Sequence, residues 1–485
     1  MPLKAEAIQI LKDINSWWAA PHEVRPRLPS YERRHVQTLL DALSHAEARC
    51  QVLRGPRQAG KSTVMLQAVR RLLAKGARPQ DILLIRFDLD ILREQQSLLP
   101  MLSWFAKEIR GSALNEGRPF YLFLDEAQKL PRWDEQIKHV FDTYKPRMAL
   151  TGSASVLVAR GQRESLAGRA LTTEIPPFLF REVLELTGDA SDLPKALDCR
   201  DLFQQGLRAR ERFEMIFHEP PRRRGAWKDR LDRYYSRGGY PDLHTGAIEE
   251  DRWADYLMET VFERVLGVDI PDLFPVDQPR LLRHIYMEAA RRTGQEIAQK
   301  KLADEANAAG FSTNQPTVGR YLHYLCDALL IREFRRYPLS RKVSAKIPSK
   351  YTLTDLGVRN AIFRETPSLW DSPPDALGPL VETLVQTVLR GVGIQAHFYR
   401  QLKNPNRRRE GFEEVDFIIE ALDGSVIPIE VKFRRRIDGE DCRPLINFMK
   451  ERRPNLGIMV TRETFNIDQE RKILFVPLMD FLLAF

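Results

Sequence analysis

Short, mainly apolar runs alternate with amphipathic segments over the first 185 residues. Such runs are typical of strands that are buried on both faces of a parallel sheet. After the first run, Val64, Ala68 and Leu72 fall on one face of a helix over residues 63–73. The pattern predicts an α/β domain with a parallel sheet at its centre. The strands are predicted at residues 50–53, 82–87, 120–124 and 147–151.

The middle part of the chain has a different pattern. Residues 188–198 are rich in Asp, Pro and Ser and predict a linker, and residues 220–225 combine turn formers with a charge run, which predicts a solvated loop. Residues 229–350 are mostly helical in pattern. Between residues 297 and 336 a helix, a turn, a second helix and a strand follow one another, which is the layout of a winged helix.

The last part of the chain, from about residue 375, predicts one helix followed by strands. The helix contains Glu382, a later strand contains Asp416, and the next contains Glu430 and Lys432. An acidic residue, then Asp, then Glu-x-Lys is the pattern of PD-(D/E)xK nucleases, in which carboxylates hold Mg²⁺ and the lysine acts on the attacking water or the phosphate. The alternative is that Glu430 and Lys432 face solvent while their apolar neighbours form the core.

This nuclease-like pattern sets a geometric condition. Asp416 and Glu430 meet only if they lie on one face of a hairpin, which requires an odd number of loop residues. A three-residue loop over 422–424, with Gly424 at positive φ, pairs the two acidic residues. A two-residue Asp-Gly turn would put them on opposite faces unless a bulge corrected the register.

Residues 55–63, GPRQAGKST, match the phosphate-binding P-loop pattern G-x-x-x-x-G-K-[ST] in full. The segment follows a predicted strand and opens a predicted helix, which is the context that this motif requires. In the motif, backbone N–H groups surround the phosphates, the lysine reaches the β- and γ-phosphates, and the next hydroxyl ligates Mg²⁺. We therefore expect ATP and Mg²⁺ as cofactors. The predicted nucleotide-binding residues are Gly55, Pro56, Arg57, Gln58, Ala59, Gly60, Lys61, Ser62 and Thr63.

Two acidic residues, Asp125 and Glu126, follow the third predicted strand. In P-loop proteins the Asp after such a strand holds Mg²⁺, directly or through water. A Glu beside it is placed to polarise the attacking water as a general base. We predict that Ser62 and Asp125 ligate the metal and that Glu126 is catalytic.

Further catalytic candidates follow the fourth predicted strand. Gly152 and Ser153 follow this strand directly, at the place where AAA-type ATPases carry a polar sensor of the γ-phosphate, so Ser153 is the first candidate and Thr151 the second. Arg169 precedes an extended run and is a candidate arginine finger that reaches the nucleotide of a neighbouring subunit. Arg160 and Arg163 compete for this role, and a solvated basic loop is the alternative.

The second helix of the middle part offers candidates for DNA contact. As the recognition helix of a winged helix it would present polar side chains to a groove, and basic residues after the next strand would contact phosphates. The alternative is a module that packs against protein. The candidates are Gln315, Thr317 and Arg320 on the helix, Arg335, Arg336, Arg341 and Lys342 after it, and the basic runs at 407–409 and 434–436.

The composition of the chain indicates its charge, its cysteine chemistry and its lack of a predicted membrane span. The 485 residues include 75 Lys and Arg against 66 Asp and Glu, a net charge of +9 that favours a polyanionic partner such as nucleic acid. The four cysteines are far apart in sequence and form no C-x-x-C pair, so free thiols in a reducing cytoplasm fit best. The longest apolar stretch, residues 473–485, is too short to span a bilayer, so we expect no membrane partner and a final strand and helix there.

Taken in order, the motifs resemble those of a widespread family of bacterial and archaeal AAA+-type ATPases. The resemblance extends over about the whole chain. It implies an ATPase core followed by a winged helix and a PD-(D/E)xK nuclease-like region that is catalogued as a domain of unknown function. By analogy with AAA+ proteins it also implies a homo-oligomer, with a hexamer as the model. The matching segments are RPRL (25–28), GPRQAGKST (55–63), LDEAQK (124–129), LTGSAS (150–155), SLAGR (165–169), GGYP (238–241), YTLTDLG (351–357), EVDF (414–417) and IEVK (429–432).

The sequence therefore predicts a multidomain α/β protein with three parts. These are an AAA+-type ATPase domain with a helical lead-in (1–185), a helical linker with a winged helix (186–350), and a restriction-endonuclease-like α/β domain (351–485). Our main hypothesis is a cytoplasmic ATPase that binds DNA and remodels or translocates on it, for example on branched or broken DNA. One alternative is a signalling or defence switch that acts through a protein partner, and another is an ATP-regulated, metal-dependent nuclease.

Overall fold

A computed structural model describes most of the chain. The described residues are 3–21, 23–24, 28–45, 49–153, 168–190, 192–337, 348–402 and 412–485. They form two compact units, Met1–Pro176 and Pro177–Phe485. The candidates Arg160, Arg163, Arg341, Lys342 and the basic run 407–409 lie outside the described residues.

The first unit is built from alternating helices and strands. In chain order they are α1 (Ala5–Ile14), α2 (Arg34–Ser44), β1 (Cys50–Gly55), α3 (Lys61–Ala74), β2 (Ile82–Arg86), α4 (Asp90–Arg93), α5 (Leu98–Trp104), β3 (Tyr121–Asp125), α6 (Trp133–Tyr144), β4 (Arg147–Ser153) and β5 (Ala170–Glu174).

The five strands of the first unit form one parallel sheet in the order β2-β3-β4-β1-β5. The aliphatic side chains on β1, β2, β3 and β4 are buried, as expected for strands that are covered on both faces, whereas Leu171 on the edge strand β5 is exposed. Because all strands run the same way, the P-loop after β1 and the acidic pair at the end of β3 meet at one edge of the sheet. The predicted parallel-sheet core is confirmed.

The second unit begins with helices and continues into two sheets. In chain order its elements are α7 (Phe180–Leu186), α8 (Cys199–Gln205), α9 (Arg210–Phe217), α10 (Pro221–Arg237), α11 (Trp253–Leu257), α12 (Pro279–Arg291), β6 (Gln295–Glu296), α13 (Gln299–Ala308), α14 (Gln315–Asp327), β7 (Ile331–Phe334), β8 (Lys350–Leu353), α15 (Leu356–Phe363), α16 (Pro374–Gly391), β9 (Ala396–Leu402), β10 (Phe412–Glu420), β11 (Val426–Lys432), α17 (Gly439–Arg452), β12 (Gly457–Thr461), β13 (Asn466–Asp468), β14 (Ile473–Pro477) and α18 (Leu478–Ala484).

The smaller sheet of this unit lies beside three helices. Its strands are antiparallel in the order β6-β8-β7, and α12, α13 and α14 alternate with them along the chain. The residues expected to face inward on α14, including Tyr321 and Leu325, are buried in a common apolar core with residues of α12 and α13. The helix-turn-helix-strand order expected between residues 297 and 336 is present, and its assignment as a winged helix stays a prediction.

The larger sheet has six strands in the order β13-β14-β12-β11-β10-β9. Strands β9, β10 and β11 are antiparallel neighbours, whereas β11, β12 and β14 run parallel. The expected final strand and helix are present as β14 and α18. A nuclease-like domain stays a prediction for this mixed sheet. None of the described helices is both long and apolar enough to cross a membrane.

One expectation about local structure is wrong. Residues 220–225 are not a solvated loop, because α10 begins at Pro221 and continues through Gly225. Proline suits the first turn of a helix, where its missing N–H would have no partner and its fixed φ is already helical. The charge run therefore lies on a helix, and Arg224 donates to the buried carboxylate of Asp480.

Candidate functional site

The P-loop between β1 and α3 is shaped by left-handed backbone at two positions. Gln58 has a φ of 61° and Gly60 a φ of 90°. Such alternation turns successive N–H groups toward a common centre, which makes a site for anions. Gly55 is needed for a different reason, because a Cβ atom there would lie 2.2 Å from the carbonyl oxygen of Ile175.

Lys61 is buried at the start of α3. Its Nζ donates to the carbonyl oxygens of Gly55, at 3.0 Å, and Pro56, at 2.9 Å. A residue that sequence reasoning missed supports the same loop: the buried guanidinium of Arg33 donates to Ala59 O at 3.0 Å. Arg33 lies outside the motif, so only the fold reveals this contact.

Asp125 ends β3 and accepts hydrogen bonds from two neighbouring segments. Its Oδ1 lies 2.8 Å from Ser62 Oγ and 2.5 Å from Thr151 Oγ1. Burial raises the pKa of Asp125, and the hydrogen bonds from Thr151 and Ser62 oppose that rise. The structure thus brings Ser62 and Asp125, the two predicted metal ligands, into direct contact.

Glu126 has an unusual backbone, with a φ of 54°. Its N–H donates to Thr151 Oγ1 at 3.0 Å, and its Oε2 accepts from Gln128 Nε2 at 2.6 Å. The single hydroxyl of Thr151, which is fully buried, therefore holds both members of the acidic pair. Gln128 was not singled out in the sequence, although its place two residues after Glu126 was visible.

The other two catalytic candidates stand apart from these contacts. Ser153 ends β4 beside Gly55 in the register of the sheet, and its side chain is outside what the structure describes. Arg169 Nε donates to Asp142 Oδ1 at 2.8 Å. It precedes β5, whose first residue pairs with Cys50 at the amino end of β1, which is the end away from the P-loop. Within one chain, Arg169 is therefore not among the residues grouped around the P-loop.

In the second unit, the β10–β11 hairpin meets the geometric condition set by the sequence. Ala421 N donates to Ser425 O at 2.9 Å, which leaves a three-residue loop, and Gly424 has a φ of 82°. Phe417 pairs with Ile429, so the next position sets Asp416 across from Glu430. Of the two loops that the sequence left open, the structure has the three-residue one. Both carboxylates are buried, which contradicts the alternative that Glu430 faces solvent.

Cations already surround these carboxylates. Lys432 Nζ contacts Glu430 Oε1, and Lys350 Nζ lies 3.9 Å from Glu382 Oε2 and closer to Glu414 Oε1. Burial raises the pKa of Glu382, Asp416 adds to the rise, and Lys350 opposes it. Sequence reasoning found Glu382, Glu430 and Lys432 but missed Lys350, because nothing in its local sequence marks it.

This cluster does not fit the magnesium site that its sequence pattern predicts. Among the described residues, no three His, Cys, Asp or Glu side chains are grouped in a way that would hold a metal ion. Asp416 Oδ2 instead accepts a hydrogen bond from the N–H of Val431 at 2.8 Å. The other carboxylates of the cluster, those of Glu382, Glu414 and Glu430, lie next to lysine ammonium groups.

The predicted DNA-binding residues differ in how far their side chains are exposed to solvent. Gln315 and Arg320 are exposed on α14, and Thr317 is half-buried near its start. Arg335 is exposed and pairs with Glu333 at 2.7 Å. Arg336 is half-buried and donates to the carbonyl oxygen of Arg400 on β9, so its guanidinium is directed at protein.

Comparison with protein-family models divides the chain into three matched segments. Residues 47–184 match an AAA domain. Residues 228–369 match a domain of unknown function, DUF8612, and residues 377–481 match another, DUF4143. The first segment contains the P-loop, the acidic pair and all five strands of the parallel sheet, so the AAA-type core expected there is supported independently.

Similar proteins are known in bacteria and archaea. An uncharacterized protein of Haemophilus influenzae is 20% identical over 64% of this chain and 68% of its own length. An uncharacterized protein of Methanocaldococcus jannaschii is 24% identical over 89% of this chain and 84% of its own. Among solved structures, a Walker-type ATPase of Pyrococcus abyssi matches 70% of this chain and 99% of its own at 15% identity, with a TM-score of 0.43.

Proposed function

We propose that this chain hydrolyses ATP at the carboxyl edge of its parallel sheet. The observation that carries the proposal is the set of contacts in which Ser62 and Thr151 both donate to Asp125 while Thr151 also accepts from Glu126. Ser62 and Asp125 suit Mg²⁺, which takes few protein ligands and completes its shell with phosphates and water. Bound with ATP, Mg²⁺ would neutralise charge on the phosphates.

Each residue of this site has its own task. When nucleotide binds, Lys61 would exchange its hydrogen bonds to the carbonyl oxygens of Gly55 and Pro56 for hydrogen bonds to the phosphates, which are stronger because both groups are charged. The loop N–H groups would surround the same phosphates. Glu126 would accept the proton of the attacking water, and the hydrogen bond from Gln128 fixes one of its oxygens so that the other can face that water.

We expect Thr151→Val to lower ATP turnover by about 10- to 100-fold, since a hydrogen bond to a charged group is worth about 1.5–3 kcal/mol. Valine keeps the shape of the side chain but removes the hydroxyl that positions Asp125 and Glu126. Steady-state hydrolysis measures the effect, and Thr151→Ser, which restores the hydroxyl, is the matched control. Equal turnover in the valine and serine variants would remove Thr151 from the proposed mechanism.

We further propose that the protein binds DNA and remodels or translocates on it, with α14 and its neighbours as one contact surface. The exposed Gln315 and Arg320 support this, together with the overall charge of +9. Arg335 can add a phosphate contact if it exchanges its partner Glu333. Because Arg336 is hydrogen-bonded to β9, its proposed part is to hold the segment directly after β7 in place.

The test is ATP hydrolysis with and without single-stranded, duplex and four-way-junction DNA, at low and moderate salt. We expect one DNA form to stimulate turnover, less so at the higher salt, because phosphate contacts release counterions. Arg320→Ala should weaken DNA binding and reduce its salt slope by about one. The control is Lys107→Ala, which removes the same charge from an exposed residue of the first unit.

The outcome separates the two leading hypotheses. Stimulation that Arg320→Ala weakens and Lys107→Ala preserves supports a DNA-coupled ATPase. Turnover that no DNA form changes, with no DNA bound, favours a switch in which ATP controls a protein partner. Nuclease action is not part of this proposal, because the cluster around Asp416 does not fit a metal in the arrangement described above.

Assembly and location complete the proposal. We propose a homo-oligomer, with a hexamer as the AAA+ analogy, in which Arg169 reaches the nucleotide of a neighbour. Its partly exposed guanidinium, which pairs with the exposed Asp142 on α6, is compatible with such a change of partner. A cytoplasmic location is supported by Cys50, Cys326 and Cys442, which are free thiols. Light scattering of the protein with ATP measures the assembly directly.

A further inference from the structure

The disagreement between the predicted magnesium site and the observed carboxylate cluster is itself informative. Glu382, Glu414, Asp416 and Glu430 come together from three different elements of the second unit. Asp416 and Glu430 are buried and Glu382 and Glu414 are half-buried, and carboxylates withdrawn from water do not remain charged without partners. Lys432, which belongs to the sequence pattern, forms an ion pair with Glu430. A second cation comes from outside the pattern.

That second cation is Lys350 on β8, in the smaller sheet. Its residue exposure is only 6%, and its Nζ lies 5.3 Å from the centre of the Phe398 ring. It contacts Glu414 and lies 3.9 Å from Glu382. Burial by itself lowers the pKa of Lys350, but the nearby carboxylates outweigh burial, so its pKa is raised and it stays charged.

Several contacts fix Lys350 relative to the larger sheet. Arg400 on β9 joins Glu414, at 2.7 Å, to Glu296 on β6, at 2.6 Å. The short segment directly after β7 also bridges to β9, since Tyr337 N donates to Phe398 O at 2.6 Å. The small sheet is therefore attached to the edge of the large one, and Lys350 is carried by the small sheet.

We propose that Lys350 is a built-in cation that closes the carboxylate cluster against divalent metal ions. The ammonium group occupies the space between Glu382 and Glu414, and it would have to withdraw before a metal ion could use these oxygens together with Asp416. Access to the cluster thus depends on the position of the small sheet. The inference involves neither ATP hydrolysis nor DNA binding, so it stands or fails independently of both.

The test is to titrate the full-length protein with Mn²⁺ in the absence of nucleotide and to measure the heat of binding by isothermal titration calorimetry. We expect Lys350→Met to bind Mn²⁺ roughly tenfold or more tightly than the unchanged protein, because a positive charge within about 4 Å opposes a second cation strongly. Asp416→Asn in the Lys350→Met background should abolish the gain, which assigns it to the cluster and not to the P-loop. Lys350→Arg keeps the charge and should behave like the unchanged protein.

Loss of Lys350 can also weaken the fold, because it leaves Glu382 without its cation. Lys350→Met/Glu414→Gln removes one charge of each sign and is the variant for that case. Its thermal unfolding should shift upward with Mn²⁺ by more than that of the unchanged protein. The proposal is overturned if the unchanged protein binds Mn²⁺ tightly through Asp416, or if folded Lys350→Met or the double variant gains no Mn²⁺ binding.

Discussion

Replacing Glu126 with glutamine is expected to lower the turnover of ATP by about 10²- to 10⁴-fold, which is the usual contribution of a general base. The amide keeps the size of the side chain and can still accept from Gln128, whose Nε2 lies 2.6 Å from Glu126 Oε2. It cannot take a proton from water. Nucleotide affinity should change little, because Lys61, Ser62 and the loop N–H groups carry binding.

Two measurements separate this expectation from a general loss of structure. Single-turnover hydrolysis reports the chemical step, and titration with a fluorescent nucleotide reports binding. Glu135→Gln on α6 is the control, since that carboxylate is exposed and pairs only loosely with Arg132, at 3.9 Å. Turnover in Glu126→Gln within threefold of the unchanged protein would show that another residue activates the water. Loss of nucleotide binding would show that Glu126 shapes the loop.

The backbone at Glu126 explains why this residue can do such work. A φ of 54° is costly for a residue with a side chain and persists only where the surroundings enforce it. Here the enforcement comes from the hydrogen bond between Glu126 N and Thr151 Oγ1. The turn directs the carboxylate away from the line of β3 and toward Gln128. Strain at this position therefore supports a functional role for Glu126.

Local sequence patterns predicted the first unit well. The P-loop, the four strands around it and the acidic pair are all encoded in short segments, and parallel strands bring their carboxyl ends to one edge without further information. The hairpin loop was predictable only as one of two, since the sequence allowed both a two-residue and a three-residue loop, and loop length sets which residues face each other. Pro221 was misjudged because proline marks both turns and the first turn of a helix.

Contacts between distant segments were not predictable. Lys350 meets Glu414, 64 residues later, and Arg33 meets Pro176 O, 143 residues later. Neither residue belongs to a motif, and an isolated Lys or Arg in a sequence is most often at the surface. The choice between Thr151 and Ser153 was open for a related reason. Both are polar and end the same strand, and only the register beside Asp125 shows that Thr151 faces it.

A second large effect is expected in stability: Arg224→Met should lower the free energy of unfolding by about 3–5 kcal/mol at neutral pH. The guanidinium donates to both oxygens of Asp480, at 2.6 and 2.9 Å, and this carboxylate has no exposed surface. Without Arg224 the charge of Asp480 stays buried and unpaired. Chemical denaturation of the full chain measures the loss. Arg210→Met, which breaks a looser pair with Glu214 at 3.9 Å, should cost less than about 1 kcal/mol.

The pH dependence of that loss tests its cause. Burial raises the pKa of Asp480 above its ordinary value even with Arg224 opposing, and removal of Arg224 must raise it further. A carboxyl whose pKa is higher in the folded state binds more protons there, so stability falls as the pH rises from the ordinary pKa to the folded one. The cost of Arg224→Met should therefore shrink near pH 4. Arg224→Met/Asp480→Leu should recover most of the stability, because it buries no charge. A cost that is the same at both pH values, with no recovery in the double variant, would mean that Arg224 acts through its packing over Phe217, 5.1 Å from the ring centre.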